Sequence, residues 1–294
     1  MEAEKSVRSA DGARIAYRLW RPAAPRGALV LLHGVASNAT RWSEFAAHSA
    51  LRADWALLRM DLRGQGRSAW HGRIGMGEWC ADLGVLLDEE GFARAVIGGH
   101  CLGANIALEF ARRCPGRALG LVLVEPMPRA ALAGPMARLA RLRPLLLGAS
   151  LAVRAANALG LYRRRLAPMD LEAMDRDTRA ALAAGPGGEA ALARYASPLA
   201  DLRSTATGAY LQALAAVTGP AQDLRGVRAP ALALVSAQAA FTDPARVRAA
   251  LSVLPECEVA ELAARHWIPT EQPDAMREAI DGWVARRFAA RAAR

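Results

Sequence analysis

The sequence predicts an α/β protein, a mainly parallel central sheet flanked by helices and carrying an inserted helical lid. Short apolar runs alternate with amphipathic stretches up to residue 126 and again from residue 227, as strands and helices do in a covered parallel sheet. From residue 127 to 226 that alternation stops, and the chain reads as several helices rich in alanine, leucine and arginine. A Gly-x-Cys-x-Gly turn, Gly99-His100-Cys101-Leu102-Gly103, directly follows the apolar run Ala95-Val96-Ile97. Such a turn marks a sharp passage from strand to helix, with small flanking residues admitting a strained backbone.

The elements follow in order. Strands are expected at 14–20, 27–32, 55–60, 95–99, 120–124, 231–235 and 258–262, where the apolar runs fall. Helices are expected at 40–51, 77–90, 102–113, 244–254 and from Asp274 toward Ala293. In the 127–226 segment a break is expected at Gly185-Pro186-Gly187-Gly188. Structureless loops of such length are rare in compact domains, so an inserted cap is the better reading, and substrate choice is expected to lie there. Residues 1–126 and 227–294 are then the core and 127–226 the cap. Neither an internal repeat nor a low-complexity linker divides the chain further.

Composition bounds the function. The 294 residues are enough for one large core, and the formal net charge is +10, carried by arginine, since Lys5 is the only lysine. Arginines on solvated helix faces account for the charge in one reading; attraction to an acidic partner accounts for it in the other. Nucleic acid is not expected as that partner, because no recognition motif or aromatic-basic stripe accompanies the charge. The four cysteines, Cys80, Cys101, Cys114 and Cys257, form no Cys-x-x-Cys pair, which suggests a reducing, cytoplasmic setting. The start, Met1-Glu2-Ala3-Glu4-Lys5, lacks the layout of a signal peptide, and no apolar run approaches the roughly 20 residues of a span. No membrane partner, metal or organic cofactor is expected.

A cysteine nucleophile needs a base, a group orienting the base, and donors for the oxyanion. Four motifs supply candidates: Leu31-Leu32-His33-Gly34-Val35, Asp61-Leu62-Arg63-Gly64-Gln65-Gly66-Arg67-Ser68, the elbow at Cys101, and Arg265-His266-Trp267 followed by Glu271-Gln272-Pro273-Asp274. Their identity and order resemble the α/β-hydrolase-fold superfamily, here as a cysteine-nucleophile variant, over most of the chain outside the cap. That resemblance implies Cys101 as nucleophile, His266 as base, and the backbone N–H groups of Val35 and Leu102 as oxyanion hole. Leu102 opens a helix, whose positive end favours the developing charge. For His100 a packing role is preferred to a catalytic one, and Asp61, Arg63 and Gly64 are read as structural.

The acid departs from the commonest pattern of the superfamily. After the run 231–235 that pattern has Gly-x-x-Asp, whereas this chain reads Ser236-Ala237-Gln238-Ala239. Some relatives place the acid after the preceding core strand, and here Leu121-Val122-Leu123-Val124 ends in Glu125. Glu125 is the first choice. Asp243 is the second, although Asp243-Pro244 also reads as a helix N-cap with proline at the first helical position. A cysteine, with an ordinary pKa of about 8.5, depends less than serine on a strong acid behind its base.

Attack by Cys101 on an ester or thioester forms an enzyme thioester, which keeps the acyl group activated. The favoured expectation is therefore an acyl or aminoacyl transferase acting on carrier-protein (phosphopantetheine) thioesters, with an acyl or peptidyl carrier protein as partner. It draws on a looser similarity to cysteine-bearing transferases of nonribosomal peptide pathways and on arginines such as Arg138, Arg141, Arg143 and Arg163-Arg164-Arg165. A hydrolase of small thioesters, esters or lactones is the alternative, water being the default acceptor in this fold. A non-catalytic binding protein is the third.

Overall fold

A computed structural model describes residues 2–185 and 188–289. Among these, eight strands form one sheet: β1 Ala3–Arg8, β2 Arg14–Trp20, β3 Gly27–Leu32, β4 Trp55–Met60, β5 Ala95–His100, β6 Ala118–Val124, β7 Ala231–Ser236 and β8 Cys257–Leu262. Their spatial order is β1-β2-β4-β3-β5-β6-β7-β8. From β4 to β8 neighbouring strands run parallel; β2 joins β4, and β1 joins β2, antiparallel. Strands β3, β4, β5 and β7 are buried almost throughout, which explains why they read as unbroken apolar runs rather than alternations.

Helices cover both faces. α1 Ser43–His48 and α12 Pro273–Phe288 lie on one side, α2 Met76–Glu89 and α3 Leu102–Arg113 on the other, with α10 Pro244–Leu251 and the short α11 Ile268–Glu271 near the last strands. Successive strand residues point to opposite faces. Thus Leu29 and Leu31 join Trp42, Phe45 and Trp283 in one core, while Val30, Leu32 and Ile97 join Trp79, Leu83 and Phe110 in the other.

Two local differences from the sequence expectation have simple causes. β1 is an edge strand of polar sequence with Val7 alone buried, so it carries no apolar signal; its ladder to β2 holds it. The expected helix 40–51 resolves into a 3-10 turn Ala39–Trp42, α1 and a second 3-10 turn Ala50–Ala53. Ser49 breaks it by turning extended and accepting from the Leu51 N–H with its side chain. The expected break residues Pro186 and Gly187, and the expected course of the last helix from 290 to Ala293, lie outside the described residues.

Between β6 and β7 the chain forms α4 Gly134–Arg141, α5 Arg143–Ala158, α6 Leu171–Ala183, α7 Gly188–Ala193, α8 Pro198–Ser204 and α9 Thr207–Val217. A buried polar knot ties this segment to the sheet. Nη1 of Arg41, beyond β3, donates to both carboxylate oxygens of Asp175 in α6 at 2.6 and 2.8 Å and to Thr270 Oγ1 in α11 at 2.7 Å. Tyr195 Oη adds a bond to Asp175 at 2.7 Å. Removing the carboxylate strands a buried guanidinium. Asp175→Ala is accordingly expected to cost about 3–5 kcal/mol in chemical denaturation, whereas replacing the exposed Asp223 should shift the denaturation midpoint far less.

Candidate active site

The parallel order decides which loops meet. β3, β5 and β6 are neighbours, so the segments leaving their carboxyl ends converge, and the loop after β8 folds back onto them. Those four segments carry Val35, Cys101, Glu125 and His266.

β5 ends at His100 and α3 begins at Leu102, leaving one residue for the turn. Cys101 takes φ 55° and ψ −113°, a conformation costing a non-glycine residue about 1–3 kcal/mol. The flanking glycines allow the crossing. A Cβ on Gly99 would lie 2.2 Å from the Gly103 carbonyl carbon, and one on Gly103 would lie 2.4 Å from the Leu32 oxygen. The turn stays hydrogen-bonded, since the Cys101 N–H donates to Val124 O at 2.9 Å.

The loop after β3 passes over the cysteine. A Cβ on Gly34 would come within 3.3 Å of Cys101 Cβ. His33 sets this loop: its Nδ1–H donates to Gly34 O at 2.8 Å, and its Nε2 accepts from the Leu62 N–H at 2.9 Å. Complete burial keeps that imidazole neutral, with a pKa lowered to about 4, which matches one donor and one acceptor nitrogen. The backbone N–H groups of Val35 and Leu102 have no acceptor among the described residues. Unpaired donors beside a nucleophile are what an oxyanion site presents.

Glu125 follows β6 with φ 50°. Its N–H donates to Leu234 O at 2.8 Å, its Oε1 accepts from the Ser236 N–H, and its Oε2 lies 3.1 Å from His266 Nδ1. Both side chains are buried. Burial acts to depress the His266 imidazolium, but hydrogen bonds to Cys101 and Glu125 outweigh it and raise the pKa to about 9. Asp243 stands elsewhere: its Oδ1 accepts from the Arg246 N–H at 3.0 Å and caps α10.

Several supporting groups had little or no sequence signal. The Glu271 carboxylate accepts from the Arg265, His266 and Trp267 N–H groups at 2.9–3.2 Å, holding the loop that carries the histidine. A glutamate five positions after the histidine is the trace it leaves. His100 is buried, and burial puts its pKa well below the ordinary value; as a neutral ring its Nε2–H donates to His266 O at 2.9 Å. Met127 is the other addition. Its Sδ lies 3.1 Å from Cys101 Sγ, while its backbone N–H and carbonyl are both bonded to the Asn105 amide at 3.0 Å.

Cys101, His266 and Val35 line a cavity of about 840 Å³. The helical segment supplies much of its wall, through Met136 and Leu139 of α4, Met169, Leu171 and Met174, and Leu214 of α9. Its lining is mainly apolar, as suits an acyl chain. No three His, Cys, Asp or Glu side chains converge as metal ligands among the described residues.

The chain belongs to the Hydrolase_4 family, described as serine aminopeptidase S33, which matches residues 23–271. Its eight-stranded, mostly parallel sheet flanked by helices is the α/β-hydrolase fold. A monoacylglycerol lipase of Mycolicibacterium smegmatis is 31% identical over 42% of this chain and 46% of its own length. The pimeloyl-[acyl-carrier protein] methyl ester esterase of Sodalis glossinidius is 38% identical over 34% of this chain and 37% of its own. These alignments span less than half of either relative. A hydrolase from Pseudomonas aeruginosa PA01 superposes with a TM-score of 0.68 at 24% identity, covering 96% of this chain and 98% of that one.

The geometry separates the two acid candidates by experiment. Glu125→Gln is expected to lower the His266 pKa below about 9, read from the ring-proton titration by NMR. Asp243→Ala should leave that titration in place and remove about 1 kcal/mol of stability through the lost cap.

Proposed function

We propose that the chain hydrolyses carboxylic esters or thioesters through a thioester on Cys101, with residues 127–226 as the lid over the acyl group. The observation that carries this reading is the convergence of Cys101, His266, Glu125 and two unpaired N–H groups, with Cys101, His266 and Val35 lining a mainly apolar cavity. The family and the esterase and lipase relatives support hydrolysis over transfer.

In the first half-reaction Sγ attacks the carbonyl carbon while His266 holds the proton. The carbonyl oxygen takes the developing charge beside the N–H groups of Val35 and Leu102. Collapse breaks the bond to the leaving alcohol or thiol, which receives the proton from His266, and leaves the acyl group on Sγ. Acylation also changes the base. The contributions of Cys101 that raise the His266 pKa are lost, leaving burial against Glu125, so the ring becomes able to accept a proton. Water then attacks the thioester and gives its proton to His266. Breakdown releases the carboxylic acid, expels the Cys101 thiolate and leaves the proton on His266, which restores the starting pair. Glu125 orients the ring throughout.

Transfer to a thiol or amine on a carrier protein is the second reading. What favours it is the cysteine itself, because a thioester retains the activation that an oxyester would lose. Both readings share the first half-reaction and part at the second.

Intact-protein mass spectrometry during turnover of a short acyl thioester tests them together. Hydrolysis predicts free acid at a rate matching decay of a Cys101 adduct, and Cys101→Ala should lower turnover at least about 10³-fold. An adduct that persists for minutes in water and discharges onto an added acylation-competent carrier thiol would favour transfer. A pH dependence follows as well. His266 gives its proton to the leaving alkoxide and loses it above a pKa of about 9, so single-turnover acylation by an alkyl ester should fall as pH rises through 9.

A further inference from the structure

Helix α5, Arg143–Ala158, is inverted relative to an ordinary surface helix. A helix at the surface normally turns charged residues to solvent and apolar ones inward. Here the exposed positions are Pro144, Leu145, Leu147, Gly148, Ala149, Leu151, Ala152, Ala155 and Ala158, with no charged or polar side chain among them. Its polar residues are instead turned away from solvent. Ser150 is buried, Asn157 donates to His71 O, Arg143 donates to Ala215 O in α9, and Arg154 is partly buried. The leucines are well exposed: Leu145 by 69% and Leu151 by 60%, followed beyond the helix by Leu159 at 79% and Leu161 at 69%.

Charge brackets this apolar face. Arg138 and Arg141 are exposed before it, and Arg163, Arg164 and Arg165 after it. From residue 127 to 169 the sequence holds eight arginines and neither aspartate nor glutamate. The absence of acids is the decisive point. An exposed basic face elsewhere on this molecule is laced with ion pairs, as at Arg225–Asp223 and Arg248–Glu261, whereas this stretch keeps its positive charge unneutralised from within.

We propose that the outer face of α5, with its flanking arginines, docks on an anionic lipid surface. Leucines entering the headgroup boundary between arginines held at phosphate level are the arrangement of an interfacial amphipathic helix. Here the tertiary structure supplies the sidedness, because α5 already has its polar side packed on the protein. The sequence expectation of no membrane partner rested on the lack of a spanning segment, and no described helix is long and apolar enough to cross a membrane. Surface binding needs none. An acidic protein would meet the arginines but leave the leucine face without a matching reason, so the lipid surface accounts for both features.

The test uses the full chain carrying Cys101→Ala, which makes it independent of the proposed chemistry. Co-sedimentation is measured with vesicles of phosphatidylcholine alone and of phosphatidylcholine with 30% phosphatidylglycerol. The mixed vesicles should bind at least about tenfold more tightly, and binding should weaken as salt is raised. Leu145→Gln with Leu151→Gln, both exposed and outside the cavity lining, should weaken it about tenfold or more with the circular dichroism unchanged. Arg163, Arg164 and Arg165 changed together to Gln should remove the preference for phosphatidylglycerol. Equal, weak association with both vesicles, or binding indifferent to the leucine changes, would overturn the proposal. So would a dimer in sedimentation velocity that the leucine changes dissolve, since the face would then belong to a second copy.

Discussion

One close approach between main chains sets the terms for the rest. At Gly103 the first turn of α3 lies so near the end of β3 that even a methyl group would collide with the Leu32 carbonyl. This contact forces the chain to reverse within one residue after β5 and holds Cys101 in a left-handed backbone. It also fixes the distance from α3 to the loop carrying His33, Gly34 and Val35. Cys101 and the unpaired N–H groups are therefore positioned by main-chain packing, which does not vary with rotamers. The strain at Cys101 is supported by the ladder on either side of β5 and by two fully buried cores.

The histidine depends on a second, softer arrangement. His266 sits on a loop rather than on a strand end, and three independent ties hold it: Glu125 on its ring, His100 on its carbonyl, and Glu271 on its N–H and those of its neighbours. Phe241 packs edge-on against the ring at 4.8 Å between centroids. Two of these partners are acidic and one is a neutral imidazole, so the field at the ring favours its cation while the apolar surroundings oppose it. The position of that balance depends on what Cys101 carries.

Most of this arrangement was legible in the sequence because it is local. The elbow, the loop after β3 and the run of β6 into Glu125 each concern a few consecutive residues with distinctive glycines or a charge after an apolar strand. Glu125 in particular announced itself as a carboxylate where the strand pattern gave only Val and Leu. Met127 and the Arg41–Asp175 pair did not, since their meaning lies in contacts between segments far apart in the chain. β1 escaped for the opposite reason: its residues are polar because the sheet edge faces water, and nothing but pairing makes it a strand. The inversion of α5 was hidden as well. Alanine and leucine there read as ordinary helix formers until exposure showed which side faced out.

The knot of Arg41, Asp175, Thr270 and Tyr195 divides the helical segment into parts of unequal freedom. Parting α6 from the sheet would open four mutual hydrogen-bonding groups in a dry interior and leave opposite charges to be rehydrated separately. Motions of that kind are rare on the timescale of a turnover. Among the described residues α4 and α5 have no buried ion pair to the sheet side; Arg129 reaches backbone carbonyls, Arg143 reaches α9 within the same segment, and Asn157 reaches His71 O. The α6 wall of the cavity is thus anchored to the sheet side by paired, buried charge, and the α4–α5 wall by packing on α9 and by bonds to backbone carbonyls.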